Sequence, residues 1–113
     1  SLRGTGTPPL TQQEQMANQV LALLNNERAK AGCAPLSLDS KLTSAALGHS
    51  NDMAVNNFFD HRGSNGSGLG ERVNASGYRW RALAENIAAG YETPSEVVSG
   101  WMQSDGHRKN ILN

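Results

Sequence analysis

A chain of 113 residues, 37% of them hydrophobic, suffices for one small domain with a single core and leaves no room for a second. Ten basic and ten acidic residues cancel, and no run of lysine and arginine forms an electrostatic footprint for nucleic acid or an anionic membrane; the densest basic stretch, Arg72 to Arg81, is broken by apolar and small residues and reads as a solvated face. No apolar run approaches the ~18–20 residues needed to span a bilayer, and no charged start with an apolar block marks a signal peptide.

Residues 1–10 read as a flexible leader or linker, since their glycines, prolines and small polar residues bury too little to order themselves, and the domain is expected over 11–113. Thr11-Gln12-Gln13-Glu14 fits a capping box, and the 3.6-residue period of Met16, Val20, Leu23, Leu24 and Glu27 predicts a helix over 12–31, stopped by Gly32. Asp39 caps a second helix that carries Leu42, Ala45, Ala46, His49 and Met53 on one face and ends at Asn56 and Asn57. Phe58, Phe59, Asp60 and His61 emerge just beyond it. Residues 63–70, half of them glycine, form a loop, and a short helix from Glu71 to Ser76 is closed by Gly77. These glycines neither follow a predicted strand nor open onto a lysine-bearing helix, so they do not read as a phosphate loop.

Leu83 to Ala89, small and apolar, suits a short buried strand. Thr93-Pro94-Ser95-Glu96 is a second capping box with proline at the first helical position, predicting a helix to about Gln103 with Val97, Val98, Trp101 and Met102 on its apolar face. Gly106 ends it, and His107 to Leu112 make one last helical turn.

Three polar stretches follow one another in a fixed order: His49-Ser50-Asn51-Asp52-Met53, Ala84-Glu85-Asn86-Ile87, and Trp101 through Gly106-His107-Arg108-Lys109-Asn110-Ile111-Leu112. Together with Asn26-Glu27-Arg28, Gly32, Pro35-Leu36, Ala46-Leu47-Gly48, Phe59-Asp60-His61 and Gly77-Tyr78, they give a series that resembles the CAP superfamily over about residues 12–113. That superfamily comprises cysteine-rich secretory proteins, antigen 5 and pathogenesis-related 1 proteins, and the chain is most similar to its bacterial secreted branch.

The resemblance implies an α+β fold, an α-β-α sandwich with helices on both faces of a small antiparallel sheet, and an extracellular location. Family members continue past the Asn-Ile-Leu block into a glycine-rich strand pair, and a lone strand leaves backbone groups unpaired. The C-terminal strands are therefore expected from residues not included in the sequence or from a second chain. Cys33 has no partner within the sequence and by itself reads as a small buried thiol. The resemblance implies that it pairs with a cysteine directly after the Asn-Ile-Leu-Asn block, in an oxidising setting.

Three side chains match family site positions: His61, Glu85 and His107. In eukaryotic relatives a second acid completes a tetrad; here its position falls at Ser104, with Asp105 adjacent, so the tetrad is incomplete. Two imidazoles and a carboxylate are suitable ligands for Zn²⁺ or another divalent cation with an open coordination position, although no local metal signature supports the set. His49, on an apolar helical face, reads as a core residue that orients its neighbours, and Asp52 as a loop or cleft-supporting residue.

Three functional classes remain open. The resemblance implies a secreted binding or interaction module for lipid, cell-wall or protein ligands, its cleft walled by Phe58, Phe59, Tyr78, Trp80 and Trp101. A metal-dependent hydrolase for peptide, ester or cell-wall substrates would use Glu85, His61 or His107 as base, but no oxyanion site is evident. Ser104, Asp105 and His107 are too close in sequence to aim a serine and an imidazole at one substrate. In the third class the polar residues form only a buried network that locks the helices together.

Overall fold

The computed structural model describes residues 11–113; the expected leader lies outside them. Five helices follow in chain order: α1 (Gln12–Lys30), α2 (Ser40–Val55), α3 (Leu69–Ala75), α4 (Pro94–Met102) and α5 (Asp105–Leu112). The capping signals act at three starts, although the expected box at Thr93 closes only on its threonine side. Thr11 and Glu14 close a reciprocal box on α1, Asp39 accepts from the Lys41 and Leu42 amides at 2.9 and 3.0 Å, and Thr93 accepts from the Glu96 amide at 3.2 Å.

The helix ends are equally specific. After α1 the amides of Gly32 and Cys33 close back on the carbonyls of Ala29 and Arg28, with Gly32 at φ +77°. This left-handed stop satisfies carbonyls that the last turn would otherwise leave free. At the end of α2, Asn57 takes φ 54° and the Phe58 amide returns to the Met53 carbonyl at 3.1 Å. Asparagine tolerates this conformation better than most side chains. The reversal sends Phe58 to His61 away from the helix axis.

Packing divides the helices into two groups. α1 packs on α4 and α5, α4 packs on α5, and α2 packs on α3; among the described residues no helix of the first group comes within 8 Å, Cα to Cα, of one of the second, and a hollow separates α1 from α2. Each group buries little on its own. Val73 in the second group, and Val98 and Ile111 in the first, are the buried hydrophobic residues. The expected apolar stripe of α1 is only partly covered, with Val20, Leu23 and Leu24 half-buried and Met16 exposed.

The expected strand over 83–89 does not form, and the described residues contain no β-strand. No neighbouring strand offers its backbone a ladder, so side chains anchor the segment instead. Trp101 Nε1 donates to the Ile87 carbonyl at 3.1 Å, and Asn86 Nδ2 donates to the His107 carbonyl at 3.1 Å. The fold as observed is thus helical, and the sheet layer of the expected sandwich is not present among the described residues. Two smaller corrections concern helix limits. The short helix starts two residues earlier than Glu71, and the final turn is a helix of two turns beginning at Asp105.

One buried cation organises the first group. Arg28 is 7% exposed; its Nε donates to the Ala34 carbonyl at 2.8 Å, and its Nη1 to the carbonyls of Ile111 and Asn113, both at 2.7 Å. A guanidinium at the end of α5 meets the negative end of the helix dipole and carbonyls without intrahelical donors. Cys33 Sγ lies 3.3 Å from the Leu112 carbonyl in the same corner. Arg28→Met should therefore cost about 2–4 kcal/mol, since it removes charge-assisted hydrogen bonds and leaves buried carbonyls unpaired. Urea denaturation would show this as a lower midpoint, and Arg28→Lys should recover only part of the loss because a point charge cannot reach all three carbonyls.

Candidate functional site

The site begins at the loop that leaves α2. His49, 3% exposed on that helix, holds the Asp60 carbonyl through Nε2 at 2.7 Å and meets the Phe58 ring edge-on, with centroids 6.2 Å apart. A carbonyl only accepts, so Nε2 carries the proton, and Nδ1 is left buried without a partner among the described residues. One helical turn later Asp52 fixes the other end of the loop. Its carboxylate accepts from the Ser64 amide at 2.8 Å and from Asn56 Nδ2 at 2.7 Å. Both residues hold the loop, His49 at the Asp60 carbonyl and Asp52 at the Ser64 amide.

Asp52 consequently sits below the usual aspartate range, chiefly because the Ser64 backbone amide stabilises the charged form; Ser64 and Asn56 side chains and the His49 charge add smaller effects, against a desolvation penalty. A folded-state value below the unfolded one contributes stability that is full above the unfolded value and disappears as pH falls through the folded one. Acid should therefore release the 60–67 loop below the ordinary aspartate range, before the neutral form is reached throughout. Ser64 amide protection, corrected for intrinsic exchange at each pH, should fall with acid in the parent and be low and independent of pH in Asp52→Ala, which has no acceptor at that position.

His61, between those two anchors, turns to Glu85, and its Nδ1 is 2.9 Å from Oε1. Against a carboxylate acceptor Nδ1 carries the proton, which leaves Nε2 free to act as an acceptor in the neutral ring. Glu85 is in turn held by Arg72 of α3, whose Nη2 lies 3.1 Å from Oε1 and 3.0 Å from Oε2, and whose Nη1 donates to the Ser67 carbonyl at 3.0 Å. Arg72 and Glu85 are 12% and 14% exposed, so the pair is shielded from solvent, whereas His61 is 57% exposed.

His107 reaches the same region from α5, its ring 6.4 Å from that of Trp101. His61 and His107 line one hollow of about 510 Å³ together with Ser104, Trp101, Phe59 and Tyr91. Glu85 does not line it; its carboxylate sits behind His61, in a smaller hollow with Arg72, Leu42 and Val73. Asp105 points elsewhere, exposed and 3.1 Å from Arg108. Of the expected aromatic wall, Phe59 and Trp101 line the hollow, Phe58 lies in the adjoining one, and Tyr78 and Trp80 belong to a separate surface.

Two participants carried no local sequence signal. Arg72 lies within what reads as a solvated basic stretch, and Tyr91 lies in a loop with no motif; only the fold brings the first to Glu85 and the second to the hollow. Arg72 also bears on the metal expectation. Among the described residues no three histidine, cysteine, aspartate or glutamate side chains converge as a ligand set. The local reason is that Glu85 spends both oxygens on Arg72 and His61, so the arrangement does not fit a three-ligand Zn²⁺ site without first breaking the Arg72 pair.

The family model described as cysteine-rich secretory protein family, CAP, matches residues 21–113. The chain belongs to that family. Among curated relatives of this CAP domain, the uncharacterized protein YkwD of Bacillus subtilis is 43% identical over 95 residues, covering 84% of this chain and 37% of the relative. The uncharacterized membrane protein YlbC of the same organism is 38% identical over 101 residues, 89% of this chain and 29% of the relative. A 1.5 Å crystal structure of an extracellular protein containing an SCP domain from Bacillus anthracis superposes with a TM-score of 0.82 at 33% identity, covering 95% of this chain and 38% of that one. The chain thus spans less than two fifths of the length of these relatives.

Within the CAP domain the shielded pair gives a direct test. Arg72→Met should cost about 3 kcal/mol by leaving a largely buried carboxylate without its cation, and the double variant Arg72→Met/Glu85→Gln should lose less than the two single changes summed. Thermal and urea unfolding of the four-member cycle would measure both effects.

Proposed function

We propose that this CAP domain is a binding module of a secreted protein, and that it takes an amphipathic organic ligand in the hollow between His61 and His107. The observation that carries the reading is the lining itself. It combines polar residues, the two histidines with Asp60, Tyr91 and Ser104, and apolar ones, Phe59, Ile87, Ala88 and Trp101. Concave sites with a few convergent polar groups on an apolar wall suit ligands of mixed polarity. Glu85 serves the site indirectly. Neutralised by Arg72, it orients His61 so that Nε2 is available to accept a hydrogen bond from a ligand hydroxyl or amide.

The binding reading is favoured over a metal-dependent hydrolase for the same reason: the carboxylate that would complete a metal set, or act as a base, is already engaged by a guanidinium. Extracellular location is supported by the description of the Bacillus anthracis neighbour, and no helix of the described residues is long and apolar enough to cross a membrane. An α-β-α sandwich belongs to the same reading. Its support is the separation of the two helix groups and the exposure of Leu36, Leu38 and Val55, which a sheet supplied by further residues or by a second chain would cover. A disulfide from Cys33 to a cysteine after the Asn-Ile-Leu-Asn block is supported by the position of Sγ beside the Leu112 carbonyl.

Titration with a fluorescent long-chain fatty alcohol tests the ligand class, since its hydroxyl can donate to Nε2. Saturable binding is expected, weakened roughly tenfold by Phe59→Ala, the loss of one partly exposed aromatic contact. His61→Ala should weaken binding of the hydroxyl-bearing probe as well, and calorimetry with Zn²⁺ should show no site that depends on both histidines. Non-saturable partitioning that neither substitution changes would overturn the reading.

A further inference from the structure

A second surface lies apart from the hollow. Four of the six arginines among the described residues are engaged within the fold: Arg28 on carbonyls, Arg62 on the Gly66 carbonyl, Arg72 on Glu85 and Arg108 on Asp105. Arg79 and Arg81 are exposed and have no hydrogen bond or ion pair with any described residue. They flank Trp80, and these three residues line one shallow hollow of about 440 Å³ with Tyr78 and Ala82.

Trp80 is fixed in place. Its Nε1 donates to Asn74 Oδ1 at 2.8 Å, and its ring lies so close to Gly70 that a β-carbon there would sit 3.3 Å from Cζ2. The ring is nonetheless 41% exposed. With its only polar group already satisfied, what it offers to the outside is hydrocarbon. A third cation lies nearby, outside the hollow's lining: the Lys41 side chain of α2 passes 4.0 Å from where a β-carbon would stand on Gly77, two residues before Arg79. Lys41 is likewise exposed and without a side-chain partner among the described residues. The neighbouring acids are turned to other tasks, Asp39 to the N-terminus of α2 and Glu71 to the Gly68 amide.

We infer that Lys41, Arg79, Trp80 and Arg81 form a docking face for an anionic phospholipid surface. No contiguous basic run marks it in the sequence; the fold assembles it from two segments 38 residues apart, at Lys41 and Arg79. Guanidinium groups pair with phosphate oxygens through two parallel N–H donors, and lysine adds a point charge. An indole whose N–H is already bonded inserts its apolar edge among headgroups, where tryptophan is favoured. A soluble polyanion would use the cations alike but would gain less from a rigid, edge-exposed ring. The face is independent of the ligand proposed for the hollow.

Co-sedimentation of the whole chain with phosphatidylcholine vesicles, with and without phosphatidylglycerol, tests the inference. Binding is expected only with the anionic lipid and should fall at high salt. Arg79→Gln/Arg81→Gln should lower partitioning roughly 30-fold, from ~1 kcal/mol per basic residue near such a surface. Its melting temperature should match the parent; if it does not, Lys41→Gln supplies the second reading, at roughly fivefold. Trp80→Phe should abolish the blue shift of emission on anionic vesicles, while Trp101 continues to report the hollow. Equal binding to neutral vesicles, or unchanged partitioning in the arginine variant, would overturn the inference. So would binding to soluble polyphosphate without binding to vesicles, which would assign the face to a polyanion.

Discussion

Three consecutive residues, Glu85, Asn86 and Ile87, hold the two helix groups in one arrangement. Glu85 faces α3 and the loop from α2, through Arg72 and His61. Asn86 and Ile87 face α5 and α4: the Asn86 amide reaches the His107 carbonyl and accepts from Asn110 Nδ2 at 2.9 Å, and the Ile87 carbonyl accepts the Trp101 indole. Among the described residues no helix of one group brings its backbone within 8 Å, Cα to Cα, of a helix of the other, and α1 and α2 face each other across a hollow. Polar bonds with fixed geometry therefore do what interhelical packing does elsewhere. Such bonds specify position well, because each lost partner leaves a desolvated group behind.

The same stitch creates the candidate site. Glu85 orients His61 from behind, and Asn86 anchors the turn of α5 that carries His107. The two imidazoles consequently come to one hollow from residues 46 positions apart. On α2, His49 and Asp52 complete the frame by fixing both ends of the intervening loop. The arrangement explains how a domain with three buried hydrophobic residues among those described keeps its polar residues in register. It also gives the carboxylate a role different from that of a metal ligand. A glutamate engaged through both oxygens by a largely buried guanidinium positions an imidazole; it does not stand ready to bind a cation.

Helix starts were the most legible part of the sequence. Thr11, Asp39 and Thr93 each act within one turn of their own position, as do Gly32 and Asn57 at helix ends, so spacing alone reveals them. The resemblance carried by the Asn26-Glu27-Arg28, Phe59-Asp60-His61, Glu85-Asn86-Ile87 and Gly106-His107-Arg108 blocks agrees with the family to which the chain belongs. The 83–89 segment misleads because small apolar residues suit a strand only where another strand lies alongside to pair with, and here the segment is half-buried or exposed with no such neighbour among the described residues. Local pattern also could not distinguish Arg72, which closes an ion pair 13 positions away, from Arg79 and Arg81, which have no partner among the described residues.

The sequence by itself determined the starts of the three helices with side-chain caps, the family, and which histidines and which glutamate merited attention, since these follow from short-range hydrogen bonding and from motif order. Only the tertiary structure decided how those groups meet: both imidazoles on the lining of one hollow, the carboxylate behind His61 and claimed by Arg72. The physical reason is that an ion pair depends on distance in space. That distance is set by which turns of α2, α3 and α5 the 85–87 segment ties together, and no local periodicity encodes it.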